Sequence, residues 1–252
     1  IHAVTPDSWR WVMLVNTVPV LLGLGVLLLL PESPAWKKQS SQETGMSSEC
    51  SPSVFKGEHL RCVFIGIGLA TIPLIGGWGS ANWMMPWADE IGSQIGKEDL
   101  KAHIGMARSL TSIVGSFFAG MLAVWMGRRR MYFLISLGAL LTAQYAFWMT
   151  VPGDFSFLVG AAFLGLFNGF YFGWLPFFLP ELFPTSIRST GIGVSFNFGR
   201  ILTALTIFAT GALMTAFESD YARIGRITSL IFLFGMVLVS FAPDTSRRDM
   251  MH

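Results

Sequence analysis

Charge is scarce in this chain. Only 13% of its 252 residues are Asp, Glu, Lys or Arg, against the ~25% usual for a soluble domain, so it lacks the polar surface needed to dissolve. Cysteine is scarcer still. Cys50 and Cys62 are the two present, too few for a disulfide framework or a cysteine metal site. The four histidines, His2, His59, His103 and His252, fall in loops or at termini, and no HExxH, GxSxG or GxxxxGK[ST] pattern occurs. Paired acids, a serine–histidine pair or metal ligands within the apolar segments would mark an intramembrane enzyme, and none stands there. We therefore expect no catalytic residue, metal or cofactor. The net charge of +2, without a basic run interleaved with aromatics, excludes a nucleic-acid partner.

Apolar length is what the chain has in abundance. Hydrophobic residues make up 52%, mean hydropathy is +0.57, and nine Trp and 22 Phe suit lipid-facing and interfacial positions. A bilayer-crossing helix needs roughly 20 mostly apolar residues. Seven stretches meet or approach that length: about 9–30, 62–87, 104–126, 131–151, 156–179, 190–216 and 225–242. Each must be helical, because backbone groups in lipid are satisfied only within the segment. The first is longer than the roughly 7–15 apolar residues of a signal-peptide core. It ends in Pro31-Glu32-Ser33-Pro34 rather than at a small-residue cleavage site, so it reads as a span.

The basic residues orient the spans. Loops 31–61, 127–130 and 180–188 with the tail 244–252 hold ten Lys and Arg, the opposite side holds five, and Arg108 and Arg200 lie inside spans. By the positive-inside rule the C-terminus is cytoplasmic. The expected location is integral to the cell (inner) membrane.

The stretch from Trp174 to Ile201, WLPFFLPELFPTSIRSTGIGVSFNFGRI, carries most of the specific signal. An apolar helix runs into Pro180-Glu181-Leu182-Phe183-Pro184, a short loop closes on Arg188, and a glycine-rich helix containing Arg200 follows. Between the third and fourth spans stands Gly120-Met-Leu-Ala-Val-Trp-Met-Gly127-Arg128-Arg129-Arg130. The first span closes on Pro31-Glu32-Ser33-Pro34-Ala35-Trp36 and the last on Pro243-Asp244-Thr245-Ser246, a weak internal repeat of proline, acid and hydroxyl residue. Parallel repeats of this kind mark transporter halves.

These segments resemble the major facilitator superfamily, in particular its sugar-porter and metabolite:proton symporter branches. The Gly120–Arg130 loop keeps the superfamily's terminal Gly-Arg-Arg but has Val124 where an acid is usual and Trp125 where a basic residue often stands. Ala35 stands where the sugar-porter motif usually has Arg. The resemblance implies an all-α, polytopic membrane protein with seven transmembrane helices, six of them a major facilitator-like C-terminal bundle. Residues 1–36 would be the last transmembrane helix of an N-terminal half. Residues 37–58, rich in Ser, Gln and Glu, would be a cytoplasmic linker, and 59–252 a C-terminal six-helix half. We expect a piece of a longer chain, with the N-terminal half as a missing partner alongside the lipid bilayer and a small-molecule solute.

The implied function is transport of a small solute (sugar, organic acid or similar metabolite) by alternating access, within a twelve-helix secondary transporter. If that protein is a symporter, its proton acceptor lies in the missing half, because the acids here sit in loops or at helix ends. The competing reading is a non-transporting sensor or scaffold derived from a transporter, which Val124 keeps in play.

Individual residues divide into two sets. Pro73 and Gly76-Gly77-Trp78-Gly79 break the second span. Freed backbone groups at membrane depth are tolerated beside protein or a water-filled cavity, so Trp78 and Asn82 are expected to face the solute path. Asn168 and Tyr171, mid-span, are further path candidates. Arg200 lies about ten residues into the sixth span, where a charge costs about 2.5–3.5 kcal/mol on insertion scales. At about 100° per residue it shares an arc with Asn197, Thr203 and Thr210. That arc either lines a cavity for an anionic group or pairs Arg200 with the cytoplasmic network. Arg108, close to the outer end of its span, is expected to snorkel. The second set, Arg128, Arg129, Glu181, Arg188 and Glu32, is read as a cytoplasmic gate of salt bridges, besides the arginines' role as anchors. Gly165, Gly169 and Gly173 form a small-residue stripe for helix packing.

Overall fold

The computed structural model describes residues 17–29, 31, 54–55 and 57–243. Two units divide the chain, Ile1–Ser51 and Pro52–His252. In the first, the described helix is α1 (Val18–Leu29), apolar on every face with no buried residue. Its 12 residues fall short of the ~20 that cross a bilayer; the rest of the expected first span, the Glu32 motif and most of the 37–58 linker lie outside the described residues.

The second unit contains six helical stretches long and apolar enough to span a membrane: His59–Gln94, Leu100–Met126, Arg128–Met149, Phe155–Leu182, Thr185–Ala216 and Tyr221–Phe241. Among the described residues all regular structure is helical. The first stretch is composite. α2 (Gly57–Ile75), with Pro73 inside it, passes into a π-helical turn over Gly76–Ser80 and a 3₁₀ turn over Ala81–Trp83, then into α3 (Met84–Gln94). Helix therefore runs past the apolar stretch expected to end near 87, because Met84, Ala88 and Gly92 keep one face buried.

Next come α4 (Leu100–Met126), α5 (Arg128–Met149) and α6 (Phe155–Leu182). One residue joins α4 to α5: Gly127, at φ +85°, in a backbone region costly for any residue with a Cβ. α6 does not stop at Pro180 as its sequence suggests. Proline is tolerated inside spans where neighbours re-satisfy the freed carbonyls, so both Pro176 and Pro180 lie within the helix, and Glu181 sits in its last turn instead of a loop. The fifth span is α7 (Arg188–Phe208) after a 3₁₀ turn at Thr185–Ile187, then α8 (Thr210–Ala216). The sixth is α9 (Tyr221–Thr228) and α10 (Ile231–Phe241).

Small residues bring the helices together. A Cβ on Gly165, Gly169 or Gly173 of α6 would run into the Arg108, Ser112 or Ser116 backbone of α4, and one on Gly115 would strike α6 in return. Thr111 Oγ1 donates to the Ala162 carbonyl at 2.6 Å and Ser116 Oγ to that of Gly169 at 3.0 Å. The glycine stripe is thus a tight α4–α6 seam sealed by interhelical hydrogen bonds, the packing expected where lipid offers no hydrophobic drive. Beside it lies an aromatic core: Trp174 stacks on Phe178 with centroids 4.4 Å apart, and Tyr132 meets Trp174 at 4.7 Å. Large apolar side chains such as Phe117, Trp125 and Phe208 stay more than three-quarters exposed, as on a lipid-facing surface.

Candidate functional site

The break in the first span shapes the main cleft. A π-helical turn widens the helix and displaces its hydrogen-bond register, and such turns recur at functional sites. Here it puts Gly77 and Trp78 at the wall of an open cleft of about 530 Å³, bounded also by Leu74, Asn82, Arg108, Asn168, Phe172, Phe196 and Arg200. α2 with its break, α4, α6 and α7 each contribute. Gly77 is small enough for the Asn168 side chain to lie against it; a Cβ there would be 2.9 Å from Asn168 Oδ1. Arg200 reaches the cleft because of the residue before it. Gly199 presses on Thr71 of α2, where a Cβ would lie 3.0 Å from Thr71 Oγ1, and this contact fixes the rotation of α7.

Arg108 extends inward from α4. Its Nη1 donates to the Ala81 carbonyl at 3.1 Å, and its Nε is buried without a hydrogen-bond partner. A second, more apolar cavity of about 790 Å³ shares Trp78 and Asn82 with the first and is closed by α7, α8, α9 and α10. These two residues form the wall between the cavities.

The opposite helix ends carry a different constellation. Arg128, first residue of α5, binds Glu181 with Nη2 to Oε1 at 2.9 Å and Nε to Oε1 at 3.1 Å. Both side chains are largely shielded, at 14% and 5% exposure. Trp174 Nε1 donates to the Arg128 carbonyl at 3.1 Å. Arg129 turns the other way, onto the carbonyls of Val239 and Ser240 at the end of α10. Arg188 bonds within its own turn, to the Phe183 carbonyl and Thr185 Oγ1.

The family model for "Sugar (and other) transporter" matches residues 37–252. The chain belongs to that family. It is an integral membrane protein of the major facilitator type, and its relatives are transporters rather than enzymes. It is 27% identical to the cis,cis-muconate transport protein of Acinetobacter baylyi, over 82% of this chain and 51% of that one. The inner membrane metabolite transport protein YhjE of Escherichia coli is 30% identical over 78% of this chain and 45% of its own length. The putative metabolite transport protein YncC of Bacillus subtilis is 26% identical, over 98% and 59%. The chain thus spans about half the length of the relatives it matches. No solved structure matches it significantly.

In this transporter-family bundle the sequence candidates separate. Trp78, Asn82, Asn168 and Arg200 meet in one cleft. Tyr171 does not join them: it is fully buried, donates to Ser136 Oγ at 2.7 Å and stacks on Phe232, so it belongs to the core. Asn197 is exposed and turns its amide back to the Gly193 carbonyl at 2.9 Å. Of its expected arc, Thr203 is buried, and Thr210 starts α8 beyond the interruption at Ala209 and lines the second cavity. Among the gate candidates, Arg128 and Glu181 pair, Arg129 and Arg188 cap carbonyls, and Glu32 is outside the described residues. Arg108 was missed. The signal was available, since Arg108, Thr111, Ser112 and Gly115 share one helical face, the face the glycine stripe of α6 requires.

Proposed function

We propose that residues 59–252 act as one six-helix half of a secondary transporter, opposite a second bundle, and carry a small solute across the cell (inner) membrane by alternating access. The observation that carries this reading is the cleft itself. A broken helix, three neighbouring helices and four polar or aromatic side chains converge on a concavity of ~530 Å³, within the usual range for small-molecule sites. Family membership supports transport as the activity, and the relatives' names, from cis,cis-muconate to unspecified metabolites, leave the cargo open. Residues 1–36 fit as the last helix of the other half, and 37–58 as the linker. The ten-to-five distribution of basic residues supports a cytoplasmic C-terminus.

On this reading the Arg128–Glu181 pair, with Arg129 and Arg188, closes the cytoplasmic ends of the helices in one transport state. Glu32 is a further candidate for that closure. The test is solute uptake by the full-length protein in proteoliposomes, with thiol labelling of cleft cysteines during turnover. Saturable uptake that is lost when the cleft is blocked supports the proposal. Channel-like flux, or no flux for any solute, sinks it and returns the sensor or scaffold reading.

A further inference from the structure

Most arginines at the helix ends of this bundle have partners. Arg128 has Glu181, Arg129 and Arg61 take carbonyls at the end of α10, and Arg226 donates to the Phe147 carbonyl at 2.9 Å while lying over the Trp148 ring at 4.1 Å. Arg130, at the same end as Arg128 and Arg129, has none among the described residues, but within the spans it is Arg108 and Arg200 that lack a counter-charge. Arg108 has one carbonyl for its whole guanidinium and a buried Nε with no partner. Arg200 makes no hydrogen bond or ion pair among the described residues. Both line the same cleft, and no Asp or Glu among the described residues lines it. Arg108 is largely shielded while Arg200 is exposed to the open cleft, and two guanidinium groups at membrane depth without a counter-charge are unfavourable, so the arrangement is incomplete as it stands.

We propose that the solute is a small organic anion whose carboxylate binds between Arg108 and Arg200. This rests on the transport reading above and narrows it. A guanidinium offers five donors and no acceptor, in a planar fork that matches a carboxylate. Asn82 and Asn168 add amide donors to the same cleft, and Trp78, Phe172 and Phe196 supply apolar wall for the remainder of the ligand. A sugar is neutral and would leave both arginines without a counter-charge. Arg108 is the specificity-determining residue, because its carbonyl bond to Ala81 holds it beside the broken turn. Arg200 is the second contact.

The experiment uses the full-length protein in proteoliposomes, with benzoate and succinate as probes, their neutral amides as matched controls, and glucose as the sugar. Thermal stabilisation of the detergent-solubilised protein by each solute reports binding separately from transport. The expected result is uptake of and stabilisation by at least one carboxylate, with its amide and glucose inactive. Arg108→Gln should lower that uptake at least tenfold while Arg108→Lys keeps part of it, and Arg200→Gln should raise KM. Arg108→Gln protein must melt as a folded species, and if it does not, the Lys and Arg200 variants carry the test.

Glucose uptake without carboxylate uptake overturns the anion assignment and leaves transport intact. Carboxylate uptake unchanged in the Arg108→Gln/Arg200→Gln double variant overturns the residue assignment. Uptake of the neutral amides that falls as much as carboxylate uptake in Arg108→Gln means that Arg108 supports the packing of the bundle rather than recognising solute charge, which also overturns the proposal. No uptake of or stabilisation by either carboxylate overturns the anion assignment, whereas the transport reading falls only if a wider solute screen also shows no flux.

Discussion

Arg128 and Glu181 lock the start of α5 to the last turn of α6 through Nη2 and Nε, at 2.9 and 3.1 Å, in a nearly solvent-free setting. Removing one partner of a buried pair costs about 3–5 kcal/mol because the other charge stays behind unpaired. Arg128 keeps some exposure, so Glu181→Gln should fall toward the low end of that range. Thermal melts in detergent should show both single variants well below wild type. The Arg128→Ala/Glu181→Ala pair should be less destabilised than the sum of the two singles. Strict additivity would mean that the contact contributes nothing beyond its separate side chains.

The α4–α6 seam makes a second prediction. Gly169→Ala places a methyl against the Ser112 carbonyl, whereas Gly193→Ala meets no atom within 4 Å. Overpacking typically costs about 1–3 kcal/mol, while Ala in an open helical site gains roughly 0.5–1 kcal/mol over Gly. Opposite shifts in melting temperature are therefore expected. Equal effects would show that the two helices separate easily.

A third concerns the helix break. With Cys50 and Cys62 replaced by serine, single cysteines at Trp78 and Asn82 should react with a membrane-impermeant thiol reagent in at least one transport state. Tyr171→Cys should stay protected throughout. Labelling at Tyr171 but not at Trp78 would place the water path elsewhere.

Tyr171→Phe provides the matching energetic test. It removes the donor to Ser136 Oγ inside the core. The net loss expected for such a bond is about 1 kcal/mol, and KM for the transported solute should not change. A KM shift without a loss of stability would move Tyr171 into the binding site.

Hydropathy made most of the fold legible, because lipid leaves the backbone no alternative to helix. Ends were harder. Pro180 is a stop signal in an isolated helix, yet α6 continues through it to Leu182 because its surroundings are other helices. Among the residues that line the cleft, Trp78 and Asn82 were legible from the glycine-rich break, which is local chemistry. Asn197 and Arg200 could not be told apart, because the Gly199 contact with Thr71 that sets the rotation of α7 belongs to a neighbouring helix. Arg108 was misjudged for a related reason. Depth along α4 suggests snorkelling outward, but the carbonyl of Ala81, 27 positions away in sequence, draws it inward.

Two consecutive arginines at the start of α5 reach in different directions, Arg128 to α6 and Arg129 to the end of α10, while Gly127 ties the same point to α4. Three helices are therefore pinned within one turn of a fourth. While those contacts hold, a tilt of α5 at that end carries α4, α6 and α10 with it, as the swing of a single lever rather than the sliding of separate rods. The α7–α8 stretch, interrupted at Ala209, takes no part in those contacts, so the clamp leaves that side of the cleft unpinned.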